Sequence, residues 1–269
     1  MKSKKMNVLP RWSALAMAAA TCAVLSGCAT SSNPRDPLEK FNRATFAFND
    51  TVDRVALKPA ATAYKKVLPS FMQTGVNNFF GNLSDIWSSA NNLMQGKGEA
   101  GATDFMRFAL NSTFGIAGLL DIASEAGLQK HNEDFGQTLG VWGVPSGPYL
   151  MLPLLGPSTI RDTAALPADL WADPWAYKHP VHVRNIGIGV RAVDQRAAVL
   201  DASNLFEEAA LDRYEFIRDG YLQRRQSRIF DGESGPDKDE PKGESKAVPA
   251  SNTQVVPEPA TPATETQKK

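Results

Sequence analysis

Apolar residues recur at helical spacing along most of the chain. The clearest pattern covers residues 76–94, where apolar positions lie three, four and seven residues apart and comprise Val76, Phe79, Phe80, Leu83, Ile86, Trp87, Ala90, Leu93 and Met94. Gly96 follows shortly afterwards and marks the predicted end of the helix. The pattern therefore predicts one long amphipathic helix with a buried face.

Further helices are predicted on both sides of this one. Asp36-Pro37-Leu38-Glu39 has the composition of a helix start, with Asp36 as the N-cap and Pro37 at the first position. A helix also fits residues 99–112, and a charged, periodic stretch covers 182–230 with a predicted break near 201–204. No segment alternates apolar and polar residues between turn signals, so a sheet is not expected. The predicted fold class is all-α.

The polar face of the 76–94 helix has an unusual composition. Asp85 is its only charge, and the other members carry amides or hydroxyls: Asn77, Asn78, Asn82, Ser84, Ser88, Ser89, Asn91 and Asn92. A helix that lies on an anionic bilayer normally carries Lys and Arg on its polar face. A neutral face suits a polar crevice or close packing against another helix. An ordinary core helix with a weakly charged outer face is the alternative.

Two further segments are apolar but too short to span a bilayer. Residues 114–120 are apolar and interrupted by glycines. Residues 148–157 are bracketed by prolines, so they cannot form a long helix. This second segment could form an apolar hairpin or a re-entrant element, but for an isolated segment of this kind a buried connector in a soluble core is favoured.

The N-terminus has the organisation of a secretory signal. Lys2, Lys4, Lys5 and Arg11 precede an apolar stretch at 12–25, and Leu25-Ser26-Gly27-Cys28 follows it. This last run resembles a lipobox, in which the cysteine becomes the first mature residue and carries acyl chains. Each buried CH₂ of such a chain contributes about 0.8 kcal/mol, so several chains anchor a domain to a membrane. Ala29 and Thr30 follow instead of an aspartate, which resembles the outer-membrane class of lipoproteins.

The C-terminus differs in composition from the rest. Six prolines and only three residues from the set Val, Ile, Leu, Met, Phe, Trp and Tyr occur in residues 231–269, so this segment cannot bury enough apolar surface to fold. The predicted organisation is a lipoprotein signal peptide at 1–27, a lipidated linker at 28–35, one helical domain at 36–230 and a disordered tail at 231–269.

Charge and cysteine content exclude several classes of protein. Residues 1–27 hold four of the 29 basic residues and none of the 29 acidic ones, so the mature chain would carry a net charge of −4. That balance argues against a nucleic-acid binder. Cys22 would leave with the signal and Cys28 would be acylated, so no thiol is left for a disulfide or a metal.

No strong catalytic motif is present in the sequence. Residues 96–101 match G-x-G-x-x-G but follow a predicted helix rather than a strand, so the match is attributed to chance. No G-x-S-x-G occurs, and His179 and His182 flank Pro180-Val181 rather than sharing one helical face. No metal site and no cofactor are expected.

A combination of motifs between about residues 34 and 230 resembles the MlaA (VacJ) family of outer-membrane lipoproteins. These motifs include Asp36-Pro37-Leu38-Glu39-Lys40-Phe41-Asn42-Arg43, Asn78-Phe79-Phe80-Gly81-Asn82-Leu83, Asn111-Ser112-Thr113-Phe114-Gly115, Asp134-Phe135-Gly136-Gln137-Thr138-Leu139-Gly140, Trp142-Gly143-Val144, Gly147-Pro148-Tyr149 and Gly156-Pro157-Ser158. The chain departs from the family at Ile86, where members often carry a proline, so the helix kink expected at that position in the family is in doubt for this chain.

The resemblance implies a function in lipid traffic. It implies a ring-like, all-helical domain that lies in the outer membrane, is lipid-anchored and faces the periplasm. Such a protein removes mislocalised phospholipid from the outer leaflet through an amphipathic channel and passes it to a periplasmic carrier protein. It also associates with a trimeric porin, and no bond is made or broken.

The implied lipid path draws on the segments described above. The Asn/Ser face would line it for head groups, and the 148–157 run would face acyl chains. Aromatic residues suit headgroup depth, in this chain Trp142, Tyr149, Trp171, Trp175 and Tyr177. Core packing also explains each of them and is favoured for any single one. The candidate lipid-path residues are Asn78, Phe79, Asn82, Leu83, Asn92, Phe135, Leu139, Trp142, Tyr149, Leu150, Leu152 and Leu154.

Two other functions compete with transport. A lipid-surface hydrolase or acyltransferase would need a nucleophile beside a base, for example Ser146 or Ser158 with His131. A structural lipoprotein that tethers the envelope would move no lipid at all.

The lipobox resemblance predicts the effect of changing Cys28. Cys28→Ala should leave the protein unprocessed or mislocalised, because no acyl chain would anchor it. Membrane fractionation and the intact mass of the mature protein measure this. Normal mature size, outer-membrane fractionation and full complementation by the variant would contradict acylation at Cys28.

Overall fold

A computed structural model describes residues 33–230 of the chain. The predicted signal peptide at 1–27, Cys28, residues 29–32 of the linker and the predicted tail at 231–269 lie outside the described residues. Within the described part, no helix is both long enough and apolar enough to cross a membrane.

Helices dominate the described residues, as the sequence predicts. Residues 33–230 form ten α-helices, a π-helical segment, a 3₁₀ turn and two strands, in the order α1 Glu39–Val52, the π-segment Asp53–Leu57, α2 Lys58–Val67, α3 Ser70–Met94, α4 Gly98–Thr113, α5 Ile122–Glu125, α6 Phe135–Val141, β1 Tyr149–Leu152, β2 Gly156–Thr159, α7 Ile160–Ala172, the 3₁₀ turn Pro174–Tyr177, α8 Val181–Ala198, α9 Leu200–Ala209 and α10 Arg213–Ile229.

The two strongest helix predictions are confirmed. α3 contains the whole 76–94 pattern, starts six residues earlier and continues through Ile86 without interruption. Gly96 has a φ of +81°, a left-handed conformation that suits glycine and ends the helix. α4 matches the predicted 99–112 helix to within one residue at each end.

The predicted capping role of Asp36 is wrong. α1 begins at Glu39, and the residue at its N-cap position is Leu38, which makes no side-chain cap bond. The Asp36 side chain is fully buried and accepts hydrogen bonds from the side chains of Asn42 and Tyr214. Tyr214 lies 178 residues further along the chain, and a local sequence pattern does not report such a partner.

Two other expectations about secondary structure need correction. The break expected near 201–204 is wrong, because those residues lie within α9 and the helix breaks fall at Val199 and at 210–212. The expectation of no sheet fails for β1 and β2, which pair antiparallel from Tyr149↔Thr159 to Leu152↔Gly156. Four-residue strands are too short to show a period of two. The hairpin alternative for 148–157 is confirmed.

The elements pack in a closed circuit. α1 contacts β1, β2 contacts α10, and α10 contacts α6. α6 then contacts α3, α3 contacts α8, and α8 contacts α2, which the π-segment joins to α1. α4 lies against α3, and α7 lies against α6. The described domain is therefore a ring of helices closed by one hairpin.

The usual distribution of polar and apolar residues is reversed in this ring. Within residues 33–204 and 210–230, 21 polar or charged residues are buried but only ten hydrophobic ones, while 29 large hydrophobic residues are exposed. Charged residues are rarely fully buried in water-soluble proteins. We refer to the 21 buried polar and charged residues as the polar interior.

α3 follows the reversed pattern. Its buried positions are mostly amides, hydroxyls and Asp85, whereas Leu93 and Met94 of its apolar stripe are exposed. The alternative of an ordinary core helix with its polar face outward is therefore wrong. The alternative of close packing against another helix is what the structure contains, and that neighbour is α4.

Two asparagines of α1 hold the hairpin in place. The Asn42 amide donates to the Tyr149 carbonyl at 3.1 Å and accepts from the Met151 N–H at 2.8 Å. One heptad later, Asn49 donates to the Leu152 carbonyl at 2.9 Å and accepts from the Leu154 N–H at 2.8 Å. The two amides thus satisfy the outer edge of β1 as a neighbouring strand would.

Asn42→Leu should destabilise the domain by about 2–4 kcal/mol, because two buried backbone groups would lose their partners. Thermal or denaturant unfolding of detergent-solubilised protein measures the change. Asn185→Leu, at an exposed position of α8, is the matched control and should shift stability by less than about 0.5 kcal/mol. Equal effects of the two substitutions would contradict the docking role of Asn42.

Candidate functional site

The polar faces of α3 and α4 meet in a buried seam. Asn82 donates to the Ser112 hydroxyl at 2.9 Å, Asn92 donates to the Asp104 carboxylate at 2.9 Å, and Ser89 donates to the Gly101 carbonyl at 2.7 Å. A side chain at Gly101 would lie 2.8 Å from Leu93 and 3.2 Å from the Ser89 carbonyl. The close approach of the two helices therefore depends on this glycine.

Arg107 is the centre of a charge cluster beside this seam. Its guanidinium, buried on α4, bonds both carboxylate oxygens of Asp121 at 2.9 Å and lies 3.5 Å from Asp85. It also donates to the Leu128 carbonyl at 2.6 Å. Lys130 pairs with Asp85 from the other side. The cluster joins α3, α4 and the loops around α5.

The pKa values of the two acids in this cluster are shifted in opposite directions. Burial raises the pKa of Asp85 above its ordinary value, although Lys130 and Arg107 oppose that effect. Burial also acts to raise the pKa of Asp121, but hydrogen bonds from Ser124, Asn111 and Arg107 outweigh it and lower the pKa to about 2. Asp121 therefore stabilises the fold as a carboxylate.

An apolar cavity of about 280 Å³ lies between α3 and α8. We call it the α3–α8 cavity. Every residue that lines it is apolar or glycine, and the set includes Phe79, Phe80, Trp175, Val183, Ile186 and Gly187. Phe79, Phe80 and Trp175 pack edge to face, with ring centroids 5.2–5.7 Å apart. The cavity is thus the apolar counterpart of the polar seam on the same helix.

The outer surface carries many exposed aromatic and aliphatic side chains. Trp142, Trp171 and Tyr177 are exposed, and Leu154 at the hairpin turn is 69% exposed. Trp142 is fixed by a hydrogen bond from its indole to the Met94 carbonyl at 3.0 Å. We refer to the exposed large hydrophobic residues together as the apolar exterior.

Comparison with known proteins connects this architecture to one family. The family model described as MlaA lipoprotein matches residues 34–228. The chain belongs to the MlaA lipoprotein family.

Two relatives and one solved structure illustrate the similarity. The "Intermembrane phospholipid transport system lipoprotein MlaA" of Escherichia coli strain K12 is 33% identical over 235 residues, which cover 84% of this chain and 91% of the relative. An uncharacterised protein of Rickettsia bellii is 34% identical over 195 residues, 72% of this chain and 76% of the relative. A chain solved in work on the structural basis for maintenance of bacterial outer membrane lipid asymmetry is 35% identical, with a TM-score of 0.64, and covers 72% of this chain and 98% of that one.

The lipid-path residues suggested by the MlaA resemblance separate into three locations. Asn82, Asn92 and Tyr149 are buried and hydrogen-bonded or packed within the domain. Phe79 lines the α3–α8 cavity. The exposed or half-buried members form the third group: Asn78, Leu83, Phe135, Leu139, Trp142, Leu150, Leu152 and Leu154.

Tyr149 packs in the core of the domain. No part of its surface is exposed, as core packing, the other explanation for its aromatic ring, predicts. Its ring packs edge to face on Tyr214 and Tyr221 at centroid distances of 6.2 and 6.3 Å. Side chains alternate across a strand, so Tyr149 and Met151 face the core while Leu150 and Leu152 are half-buried on the other side.

The residues proposed for a hydrolase do not pair with each other in the described contacts. His131 bonds the Asp104 carboxylate through Nδ1 at 3.1 Å. The Ser158 hydroxyl is buried and lies 3.0 Å from the Thr163 hydroxyl, and it donates to the Thr159 carbonyl. The MlaA lipoproteins are a transport family and not a known enzyme family.

The buried charges were not predicted as functional or structural features. Arg107, Arg161, Arg218 and Arg225 are all buried, and each pairs with at least one aspartate. The sequence offers only a weak indication of these buried charges: arginine and aspartate stand directly beside large apolar residues in the same helices. On α4, for example, Asp104 and Arg107 are buried while Phe105 and Met106 are exposed.

Acid should destabilise the domain partly through Asp121. Because its pKa is lowered, Asp121 makes its full contribution to the free energy of unfolding at pH values above its ordinary pKa of 3.8. That contribution is lost as the pH falls toward about 2. Asp121→Asn should therefore lower the melting temperature of the solubilised protein at pH 7. The variant should also show a smaller further fall in melting temperature between pH 4 and pH 2. Asp201→Asn, at an exposed position, is the control that should leave the acid response unchanged. An unaltered acid response in Asp121→Asn would contradict this assignment.

Proposed function

We propose that the protein removes mislocalised phospholipid from the outer leaflet of the outer membrane and passes it through an amphipathic channel to a periplasmic carrier protein, which maintains lipid asymmetry. Membership of the MlaA lipoprotein family and the phospholipid-transport name of the Escherichia coli relative support this proposal. The observation that carries it is the reversed distribution of residues, with a polar interior and an apolar exterior.

The reversed distribution suits a hydrocarbon environment. Exposed side chains such as Phe71, Phe114 and Ile116 would promote association in water, whereas acyl chains solvate them. Polar groups at membrane depth must find partners within the protein. The seam between α3 and α4 and the Arg107 cluster provide such partners. A domain without a membrane-crossing helix could thus lie within the acyl region.

The proposed location follows from the anchor and the exterior together. Acyl chains on Cys28 would hold the protein at the outer membrane with its domain reached from the periplasm. The apolar exterior extends over several helices and the hairpin, so it offers surface for bound lipid and for a trimeric porin. A periplasmic lipid carrier would receive the lipid from the aqueous side.

A deletion strain tests transport against both alternatives. Loss of the gene should raise the outer-leaflet phospholipid, and the full-length chain should restore it. A hydrolase would instead yield lyso-lipid or fatty acid, which lipid mass spectrometry detects. A structural lipoprotein would leave the outer-leaflet phospholipid unchanged in the deletion strain, and that result would overturn the proposal.

The hairpin turn should lie at acyl depth. Spin labels at Leu154→Cys and Leu155→Cys should be more accessible to oxygen than to a water-soluble nickel complex in phospholipid vesicles, because both side chains are exposed and apolar. Asn132→Cys, on an exposed polar loop, is the control and should show the reverse preference. Greater nickel than oxygen accessibility at Leu154 would place the hairpin in water and contradict its membrane role.

A further inference from the structure

We propose that the exposed face of α1 lies on the membrane leaflet that holds the acyl chains of Cys28, with Phe41 and Phe48 in the acyl region and with Arg35 and Lys40 bonded to lipid phosphates. The proposal rests on the proposed function, in which those acyl chains hold the protein at the outer membrane. It assigns the contact between the domain and that leaflet to one helix and two cations.

The outward side of α1 carries an uncharged, largely apolar stripe. Phe41 and Phe48 lie two turns apart and are 47% and 52% exposed. The other exposed residues from position 41 to position 51 are small and uncharged, namely Ala44, Ala47 and Thr51. Because residues three, four and seven apart share one side of a helix, these five residues form a single face. We call this face the α1 stripe.

The acidic residues next to the α1 stripe are compensated within the domain. α1 and the π-segment contain three acids, and each forms an ion pair with an arginine. The pairs are Glu39–Arg43 at 2.7 Å, Asp50–Arg213 at 2.9 Å and Asp53–Arg196 at 2.8 Å. An anionic lipid surface against the α1 stripe would therefore meet no uncompensated carboxylate.

Two cations at the start of the domain are available for lipid phosphates. Arg35 and Lys40 are exposed, and neither makes an ion pair with another described residue. The Arg35 carbonyl accepts a hydrogen bond from the Tyr149 N–H at 3.0 Å, so the backbone at Arg35 is held to the hairpin. Lys40 lies one turn before Ala44, at the N-terminal end of the α1 stripe. Basic residues beside an apolar helix face are typical of helices that lie on anionic bilayers.

The short connection to Cys28 limits which leaflet the start of the domain can reach. Asn33 lies five residues after Cys28, and five residues span at most about 18 Å when fully extended. The hydrocarbon core of a bilayer is about 30 Å thick, so Asn33 cannot reach the head groups of the opposite leaflet. The chain is then fixed to α1, because the Asp36 N–H donates to the Asn33 carbonyl at 3.1 Å and the buried Asp36 carboxylate accepts from Asn42 at 2.8 Å. Chain length thus favours the leaflet of the anchor for the α1 stripe.

Depth-dependent fluorescence quenching tests this placement. Ala44 lies in the α1 stripe between the two phenylalanines, and Asn132 lies on an exposed polar loop. A cysteine at either position is labelled with the fluorophore NBD in the full-length, acylated protein, since acylation blocks the Cys28 thiol. The protein is reconstituted in nanodiscs of phosphatidylethanolamine and phosphatidylglycerol. Lipids that carry a nitroxide on the head group, or at a shallow or a deep acyl position, then quench the label.

The label at Ala44 should be quenched most by the shallow acyl nitroxide and several-fold more than the label at Asn132. Phe41→Ser with Phe48→Ser should reduce the quenching at Ala44, because the stripe would lose most of its apolar surface. Circular dichroism and melting temperature establish that each variant is folded.

The cations are tested by the choice of lipid. Phosphatidylglycerol with a headgroup nitroxide should quench the Ala44 label more than phosphatidylethanolamine with the same nitroxide, because basic residues near an anionic surface favour anionic lipid. Arg35→Gln with Lys40→Gln should lower this preference several-fold. Arg224→Gln with Arg228→Gln removes the same charge from exposed positions on α10 and should change the preference little.

Four results would overturn the assignment. Equally weak quenching at Ala44 and Asn132 would place the α1 stripe in water, and strongest quenching by the deep nitroxide would place it away from the head groups. A photo-cross-link from Ala44 to a porin or to a second copy of the chain, without lipid quenching, would assign the stripe to a protein partner. A phosphatidylglycerol preference that survives Arg35→Gln with Lys40→Gln would remove the phosphate contact.

The proposed function is tested separately from this placement. Shallow quenching at Ala44 together with unchanged outer-leaflet phospholipid in the deletion strain would contradict transport and leave the placement of α1 intact. Restored lipid asymmetry by a protein whose Ala44 label lies in water would contradict the placement and leave transport intact.

Discussion

Hydrogen bonding by polar side chains at the junctions between elements of the ring is the interaction on which the rest of the structure depends. The Asn42 amide holds the hairpin to α1, and Arg225 joins α10 to α6 through Asp134. The Thr138 hydroxyl donates to Asn91 between α6 and α3 at 2.7 Å. Asp194 of α8 accepts from Asn77 of α3 and from Tyr64 of α2.

This mode of closure determines what faces outward. A ring whose interior consists of bonded amides, carboxylates and guanidinium groups has little buried space for aliphatic side chains, so these are displaced to the surface. In water such an arrangement would forgo most of the hydrophobic driving force. In hydrocarbon the polar bonds gain strength, because the low dielectric raises the value of each satisfied bond and the penalty of each broken one. The architecture is therefore consistent with the apolar environment proposed for it.

The sequence predicted where the helices lie better than which face of each helix is buried, for a physical reason. The spacing of apolar residues in α3 and α4 reports that each helix has two different faces, but the solvent decides which face is buried. Leu93 is exposed and Asn92 is buried, although both fit the pattern of a conventional soluble helix. Long-range partners were also hidden, as in the contact between Asp36 and Tyr214, which are 178 residues apart.

The burial of Asn82 and Asn92 changes what a lipid path in this fold requires. The side-chain amides of both residues donate hydrogen bonds to α4. Asn82 also lies against the loop after α4, because a side chain added at Gly118 would come within 2.6 Å of the Asn82 amide nitrogen. That loop holds Ile116 and Ala117 at positive φ, a strained conformation for residues with a side chain. The Asn82 amide therefore helps to hold a strained, apolar loop against α3, and the amide nitrogens of Asn82 and Asn92 are already used in bonds within the domain.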